Sequence, residues 1–383
     1  MPAKLQRLWR DSVLGRHVLV ALVGLLVVLL LLETVNDFRA IQLSSMAYLG
    51  IAAGGLTILT GLNGQISLGH GALMAIGAYT AALMLPDRDA STPLPLVVLV
   101  SVLVTLAVGT AVGAAAARLH GPYLAGATLA LAVAVPGIAL YFGETLGGEQ
   151  GLRVSMPDVP VWALDAEYLL TGTEMTRSGW VALMAWTTLA ITYVLLANLS
   201  RGRVGRRWRA VRDGEVSAEL AGIRLGRSRV SAFMVSAAAA GAAGAMLAFT
   251  VRLAAPSGFT LTLSLTLLTA VVLGGLGSLG GALVGAALLT FLPPFVTSVG
   301  SDAGLSDLRA AELAPLVYGL VMIAVILLAP AGIAGSFRAW RIRRQARVAL
   351  APAPVAASTT GTTGTPDSPT RSTVPTSSKG TPT

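Results

Sequence analysis

The stretch LTGLNGQISLGHGALMAIGAYTAALML, residues 59–85, sets Asn63, Gln65, Ser67 and His70 in the middle of a run otherwise built from Leu, Ala, Ile, Met and Gly. It is the second half of a nearly uninterrupted apolar block from 41 to 85. As one helix at 1.5 Å per residue this block would run roughly 68 Å, about twice the ~30 Å hydrocarbon core of a bilayer. It must break, and Asn63-Gly64 is the place. Asn and Gly tolerate the left-handed conformation that ends a helix, and Ser67 is then placed to cap the next one. Two readings of the break stay open. In one it is a tight helical hairpin at the cytoplasmic face, with Asn, Gln and Ser supplying turn chemistry. In the other it lies inside the membrane, where unwound backbone and the side chains of Asn63, Gln65, Ser67 and His70 line a translocation path. At helical spacing Asn63, Ser67 and His70 share one face.

Outward from this block the chain keeps the same character. Of its 383 residues 54% are hydrophobic and 12% charged, where soluble proteins carry roughly 25% charged residues. Apolar runs recur at about 17–32, 41–60, 66–85, 94–117, 123–142, 179–197, 230–251, 260–276, 279–299 and 313–334, most near the ~20 residues a bilayer helix needs. The expected fold is all-α: a polytopic membrane bundle of about ten transmembrane helices, some of them broken, over residues 17–336. The run 17–32 has no small-residue cleavage pattern after it and is expected to stay as the first span. Arg and Lys cluster in the arm 1–16, in the loop 200–229, and in the segment 337–350, whereas the loops 143–178 and 300–312 are acidic. Ten spans place every basic segment inside and both acidic loops outside, with both termini cytoplasmic. The tail 351–383, rich in Ser, Thr and Pro, lacks an apolar face to bury and is expected to be disordered.

The residues that are missing narrow the function. The net charge of +9 sits at helix ends, where an anionic inner leaflet accounts for it, so no nucleic-acid partner is expected. There is no cysteine, and the only lysines are Lys4 and Lys379, neither in a Gly-x-x-x-x-Gly-Lys loop that would cradle ATP phosphates. His17, His70 and His120 are scattered, so no metal or cofactor site is expected. The spans hold no Asp or Glu away from their ends, which argues against a proton symporter but leaves a sodium-coupled carrier standing. A membrane-embedded enzyme is disfavoured because no nucleophile, base and acid cluster appears.

Two further stretches carry information. In VVLGGLGSLGGALVGAALL, residues 271–289, Gly277, Gly281 and Gly285 recur every four residues as a helix-packing ridge. The pattern Gly-x-x-Ser-Leu-Gly also occurs both at Gly64–Gly69 and at Gly275–Gly280, which hints at an internal repeat. The loop 200–233 carries Trp208, Val211, Glu215, Leu220 and Ile223 near helical spacing among Arg206, Arg207, Arg209 and Arg212. This reads as one short basic amphipathic helix ending near Gly222, for a lipid surface or a partner's groove.

These segments together resemble a known family. GLNGQISLGHGALMAIGAYTAAL, LGGEQGL at 146–152, GRRWRAVRDGEVSAELAGI followed by SAFMVSAAAAGAAGAM, GGLGSLGGALVGA and the closing APAGIAG are similar, in order, to segments of the permeases of branched-chain amino acid ATP-binding-cassette importers. The resemblance covers about 40–336. It implies a type II importer-like permease in a bacterial cytoplasmic membrane, paired with a second homologous permease subunit, two cytoplasmic ATPases and an extracytoplasmic substrate-binding protein. It implies a coupling role for Arg206 through Ile223, at Arg209, Arg212, Asp213, Glu215, Glu219 and Gly222. It implies leucine, isoleucine and valine as substrates, with related permeases carrying other amino acids, urea or short amides. Two departures stand out: Glu215, Ala218 and Gly222 do not follow the strict EAA-x-x-x-G spacing of the wider class, and Ala282 occupies a position where many relatives have Pro.

Overall fold

The computed structural model describes residues 13–86, 92–119, 122–156, 158–171, 175–304, 306–329 and 332–336, all within one compact unit, Met1–Trp340. The arm up to residue 12, His120, the segment 337–350 and the tail 351–383 lie outside the described residues.

Every one of the ten apolar runs contributes a helix. In chain order these are α1 (Val13–Leu32), α2 (Asp37–Leu56), α3 (His70–Met84), α4 (Leu94–Ala116) and α5 (Pro122–Tyr141), then, past a loop helix α6 (Val161–Thr171), α7 (Arg177–Arg201). Two short helices follow, α8 (Arg203–Asp213) and α9 (Glu215–Leu220). The chain then forms α10 (Leu225–Val251), α11 (Leu261–Gly274), α12 (Leu279–Asp302) and α13 (Asp307–Leu328). Among the described residues, eight helices are long and apolar enough to cross a membrane; the stretches His70–Met84 and Pro315–Val325 are apolar but shorter. The chain is thus a multi-pass helical membrane protein, and the shortness of α3 has a structural cause described below.

Burial sorts the helices. Within their most apolar windows, α10 is 78% buried and α2, with its extension to Leu62, 72%, whereas α1 is only 11% buried. The first two form the centre of the bundle and α1 its outer edge, fixed to α7 by a 2.9 Å hydrogen bond between His17 Nδ1 and Asn198 Oδ1. The centre is possible because α10 is built from Ala and Gly. A Cβ on Gly244 would stand 2.0 Å from the carbonyl oxygen of Met74, and one on Gly77 2.4 Å from that of Gly241, so α3 and α10 meet backbone to backbone. Such close approach yields the dispersion contact that replaces the hydrophobic effect in lipid. Gly281 and Gly285 do the same for α12 against α11, facing the carbonyls of Gly274 and Ala270. Gly277 does not extend that ridge: it lies in the turn before α12, at φ +83°.

Opposite ends of α10 carry the two polar loops. Its start follows α8 and α9; its end runs into β2 (Leu253–Ala254), which pairs antiparallel with β1 (Leu152–Arg153) of the acidic loop. Twenty-seven residues of helix separate these ends by about 40 Å. The Arg-rich loop 200–229 and the acidic loop 143–178 therefore lie at opposite ends of α10, as their charge predicts.

At the strand end, α6 is held to the end of α1 by a hydrogen bond between Glu167 and Glu33. Burial, the Glu33 hydrogen bond and Glu33's charge push the Glu167 carboxyl up from its ordinary 4.5 to about 7. A raised carboxyl favours the folded contact most below its ordinary value, and that advantage is lost as pH rises through 7. Amide exchange protection of 161–171 is expected to fall between pH 6 and pH 8. Glu167→Gln, uncharged throughout, should flatten this profile; an unchanged pH dependence in that variant would assign it to another group.

Candidate functional site

The helix break deciding the fold begins earlier than Asn63. The α-helical pattern of α2 stops at Leu56, and Thr57–Leu62 continues as a π-helix with wider turns. The chain unwinds over 63–69, with Gly64 in the left-handed region at φ +78°. Asn63 N still donates to Ile58 O at 3.2 Å, and Gln65 N to Leu59 O at 3.1 Å. His70 then opens α3.

The unwound segment is inside the bundle. Asn63, Gln65, Ser67 and His70 are 3%, 6%, 1% and 0% exposed. Asn63 lies beside Ser228, near the start of α10. Gly77 packs on Gly241, which puts His70, seven residues earlier, level with 234–237 of α10. The break thus climbs about 10 Å along α10 before α3 starts. That is why α3 is short: part of its length across the bundle is spanned by unwound chain.

Unwound backbone away from water must find partners, and polar side chains supply them. Thr60 Oγ1 donates to Gln65 O at 3.0 Å, and Gln65 Nε2 donates to Asn63 Oδ1. Leu68 N donates to Thr128 Oγ1 of α5, and Gly71 N to Ser264 Oγ of α11, both at 2.9 Å. His70 Nε2 lies 3.1 Å from the carbonyl oxygen of Ala52, which can only accept, so the proton is on Nε2. Two expectations are corrected. Asn63, Ser67 and His70 share no helical face, because the chain between them is not helical. Ser67 is not the cap of α3: Gly69 occupies that position, and Ser67 Oγ accepts from Gly69 N at 3.4 Å. Thr60, Thr128, Ser228 and Ser264 escaped the sequence reading; each is a hydroxyl in or at the edge of an apolar run, a signal common in spans and unspecific by itself.

The Arg-rich loop is two helices, not one. Gly214, in extended conformation at φ −178°, separates α8 from α9, and Gly222 at φ +80° follows α9. The apolar face of α8 is consumed within the chain: Trp208 is fully buried and its Nε1 donates to Ser231 Oγ at 2.9 Å, and Val211 is buried as well. It does not face lipid.

The charged residues divide. Arg209 Nη1 donates to Ser200 O at 3.1 Å, and Arg212 Nη1 to Gly61 O at 2.6 Å while pairing with Asp213 at 3.0 Å. Glu215 grips Arg229 of α10 at 2.6 Å; that guanidinium, 7% exposed, also donates to Ala117 O at the end of α4. These contacts tie the loop to neighbouring segments, although the side chains of Arg212, Asp213 and Glu215 stay 40%, 64% and 48% exposed. Arg206, Glu219 and Gly222 are exposed as well. With them stand Val216 and Leu220, 73% and 86% exposed and four residues apart on α9. Val216 was not singled out from the sequence, and Leu220 only as a member of the amphipathic pattern.

A sequence model of the family described as branched-chain amino acid transport system / permease component matches residues 39–326. The chain belongs to this permease family. The permease is 30% identical, over 82% of its length and 74% of the relative's, to the high-affinity branched-chain amino acid transport system permease protein LivM of Salmonella typhimurium. Its identity to LivM of Escherichia coli is 29%, with the same coverage. To the high-affinity branched-chain amino acid transport system permease protein LivH of Salmonella typhimurium it is 28%, over 78% of this chain and 94% of that one. No solved structure matches the permease.

Proposed function

We propose that this permease is one membrane subunit of an ATP-binding-cassette importer, carrying leucine, isoleucine and valine, or a related small solute, by alternating access. ATP hydrolysis takes place on two separate cytoplasmic ATPases, in keeping with a chain that has no Gly-x-x-x-x-Gly-Lys loop. A second homologous permease completes the channel, and an extracytoplasmic binding protein delivers the solute to the strand end, where α6 presents Trp162, Tyr168 and Leu169. The observation that carries the partnership is the exposed Val216–Leu220 pair on a loop whose Trp208 and Val211 are buried. An i, i+4 apolar pair on a short, rigidly seated helix suits a groove in a soluble partner. Arg206, Glu219 and Gly222 border that contact; Arg209, Arg212, Asp213 and Glu215 carry its motion inward.

Asn63, Gln65, Ser67 and His70 flank the translocation path in this reading. All four are covered in the conformation described here, so they meet the solute only after the break rearranges. Broken helices of this kind bring backbone and side-chain polar groups to substrate in other transporters.

Reconstitution into vesicles tests the proposal. Uptake of radiolabelled leucine is expected only when the second permease, the ATPases, the binding protein and ATP are all present. Uptake by the purified chain alone under a sodium gradient would replace this reading with a secondary carrier.

A further inference from the structure

Arg212 stands where three pieces of backbone converge. Its Nη1 is 2.6 Å from the carbonyl oxygen of Gly61, within the π-helical segment. A Cβ on Gly64 would stand 3.0 Å from Arg212 Cγ, and one on Gly277 3.8 Å from Nη1. Gly61 itself touches the turn before α12 so closely that a Cβ would lie 2.3 Å from Gly277 N. Beside Asp213, the guanidinium therefore finds its partner at the carbonyl end of a helix, where the dipole and the orphan carbonyls favour a cation.

The segment it touches is an uncommon form. π-helical turns hold one more residue than α-helical turns and occur mostly as single insertions. Relaxing Thr57–Leu62 to α-helix would displace the following chain by about one residue, roughly 100° of rotation and 1.5 Å of rise. Everything from Asn63 to His70 follows that segment. We infer that Arg212 is a positioning residue: it pins the π form of Thr57–Leu62 and so sets the register of the buried break. When α8 moves, Gly61 loses its donor, the segment relaxes, and Asn63, Gln65, Ser67 and His70 turn to new positions. The movement of α8 rests on the importer reading; the pin does not.

The test is amide hydrogen exchange, read by mass spectrometry on the full-length subunit in lipid nanodiscs. In Arg212→Gln, exchange over 57–66 is expected to quicken about tenfold while 225–251 stays at the wild-type rate. Arg212→Lys, which keeps a cationic donor, should stay within about threefold of wild type. Wild-type exchange at 57–66 in the Gln variant would overturn the pin, and so would acceleration spread over all helices. The second arm uses the wild-type permease assembled with its ATPases. Exchange at 57–66 is expected to differ about tenfold between nucleotide-free and vanadate-trapped states. Equal rates there, in a complex whose 215–222 segment responds to nucleotide, would overturn the transmission. The first arm needs no ATPase, so its result stands whether or not the importer reading does.

Discussion

Gly244→Ala, at the contact between the two helices α3 and α10, is expected to destabilise the bundle severely. The added methyl would lie 2.0 Å from the carbonyl oxygen of Met74 and 2.9 Å from the amide nitrogen of Ala78, and both are backbone atoms that no rotamer change can move. Either α3 and α10 separate along their contact or the helices shift register against each other. Overpacking of a core that can yield by side-chain motion costs about 1–3 kcal/mol; with backbone on both sides about 3 kcal/mol or more is expected. The separation also tugs on the break, because α3 begins at His70. In mild detergent the melting temperature should fall by about 5 °C or more, with a lower yield of monodisperse subunit. The paired control is Gly126→Ala in α5, where a Cβ would have no atom within 4 Å. There the higher helix propensity of Ala makes the change neutral or stabilising by up to about 1 kcal/mol. A Gly244→Ala subunit that melts with the wild type would show that α3 and α10 are not in backbone contact.

The membrane character, the positions of the helices and the opposite placement of the Arg-rich and acidic loops were legible because they depend on one-dimensional quantities: apolar run length and charge sign. The need for a break in 41–85 was legible for the same reason, since a helix of that length exceeds the bilayer. Its interior was not. Whether Leu56 is followed by α or π turns depends on what meets the carbonyl of Gly61, and that group, Arg212, is 151 residues away in sequence. Likewise Ser67 has the chemistry of a helix cap, and only the contacts of Leu68 with Thr128 and Gly71 with Ser264 delay α3 until His70. The same limit explains Gly277: its spacing to Gly281 and Gly285 fits a helix ridge, yet its contact with Gly61 claims it for a turn. In the Arg-rich loop the periodicity reveals an amphipathic pattern but not how its apolar positions divide. Trp208 is taken by α10 through Ser231, and Leu220 is left outside.

That division leads to the largest functional effect. Val216→Asp combined with Leu220→Asp is expected to abolish association with the ATPases while leaving the subunit inserted and folded. Both side chains are mostly exposed, and surface substitutions away from special contacts usually change stability by no more than about 0.5 kcal/mol. Glu215, which does latch α9 to α10 through Arg229, is untouched by the change. In a partner's groove, however, each apolar side chain contributes about 1.5–3 kcal/mol on full burial. Loss of the pair removes about 4 kcal/mol, close to a thousandfold in Kd. Two carboxylates facing an apolar groove would add a desolvation penalty. The expected result is a variant that melts as the wild type does, fails to retain the ATPases on size exclusion, and shows no solute-driven ATP hydrolysis after reconstitution. Arg206→Ala, exposed on the neighbouring α8, should weaken the association by less than tenfold, since rim charges contribute mainly to encounter rate. If the double variant binds the ATPases normally, the energy of docking lies in the arginines and the apolar pair serves another surface. If it fails to fold, α9 is not the independent handle that its exposure describes.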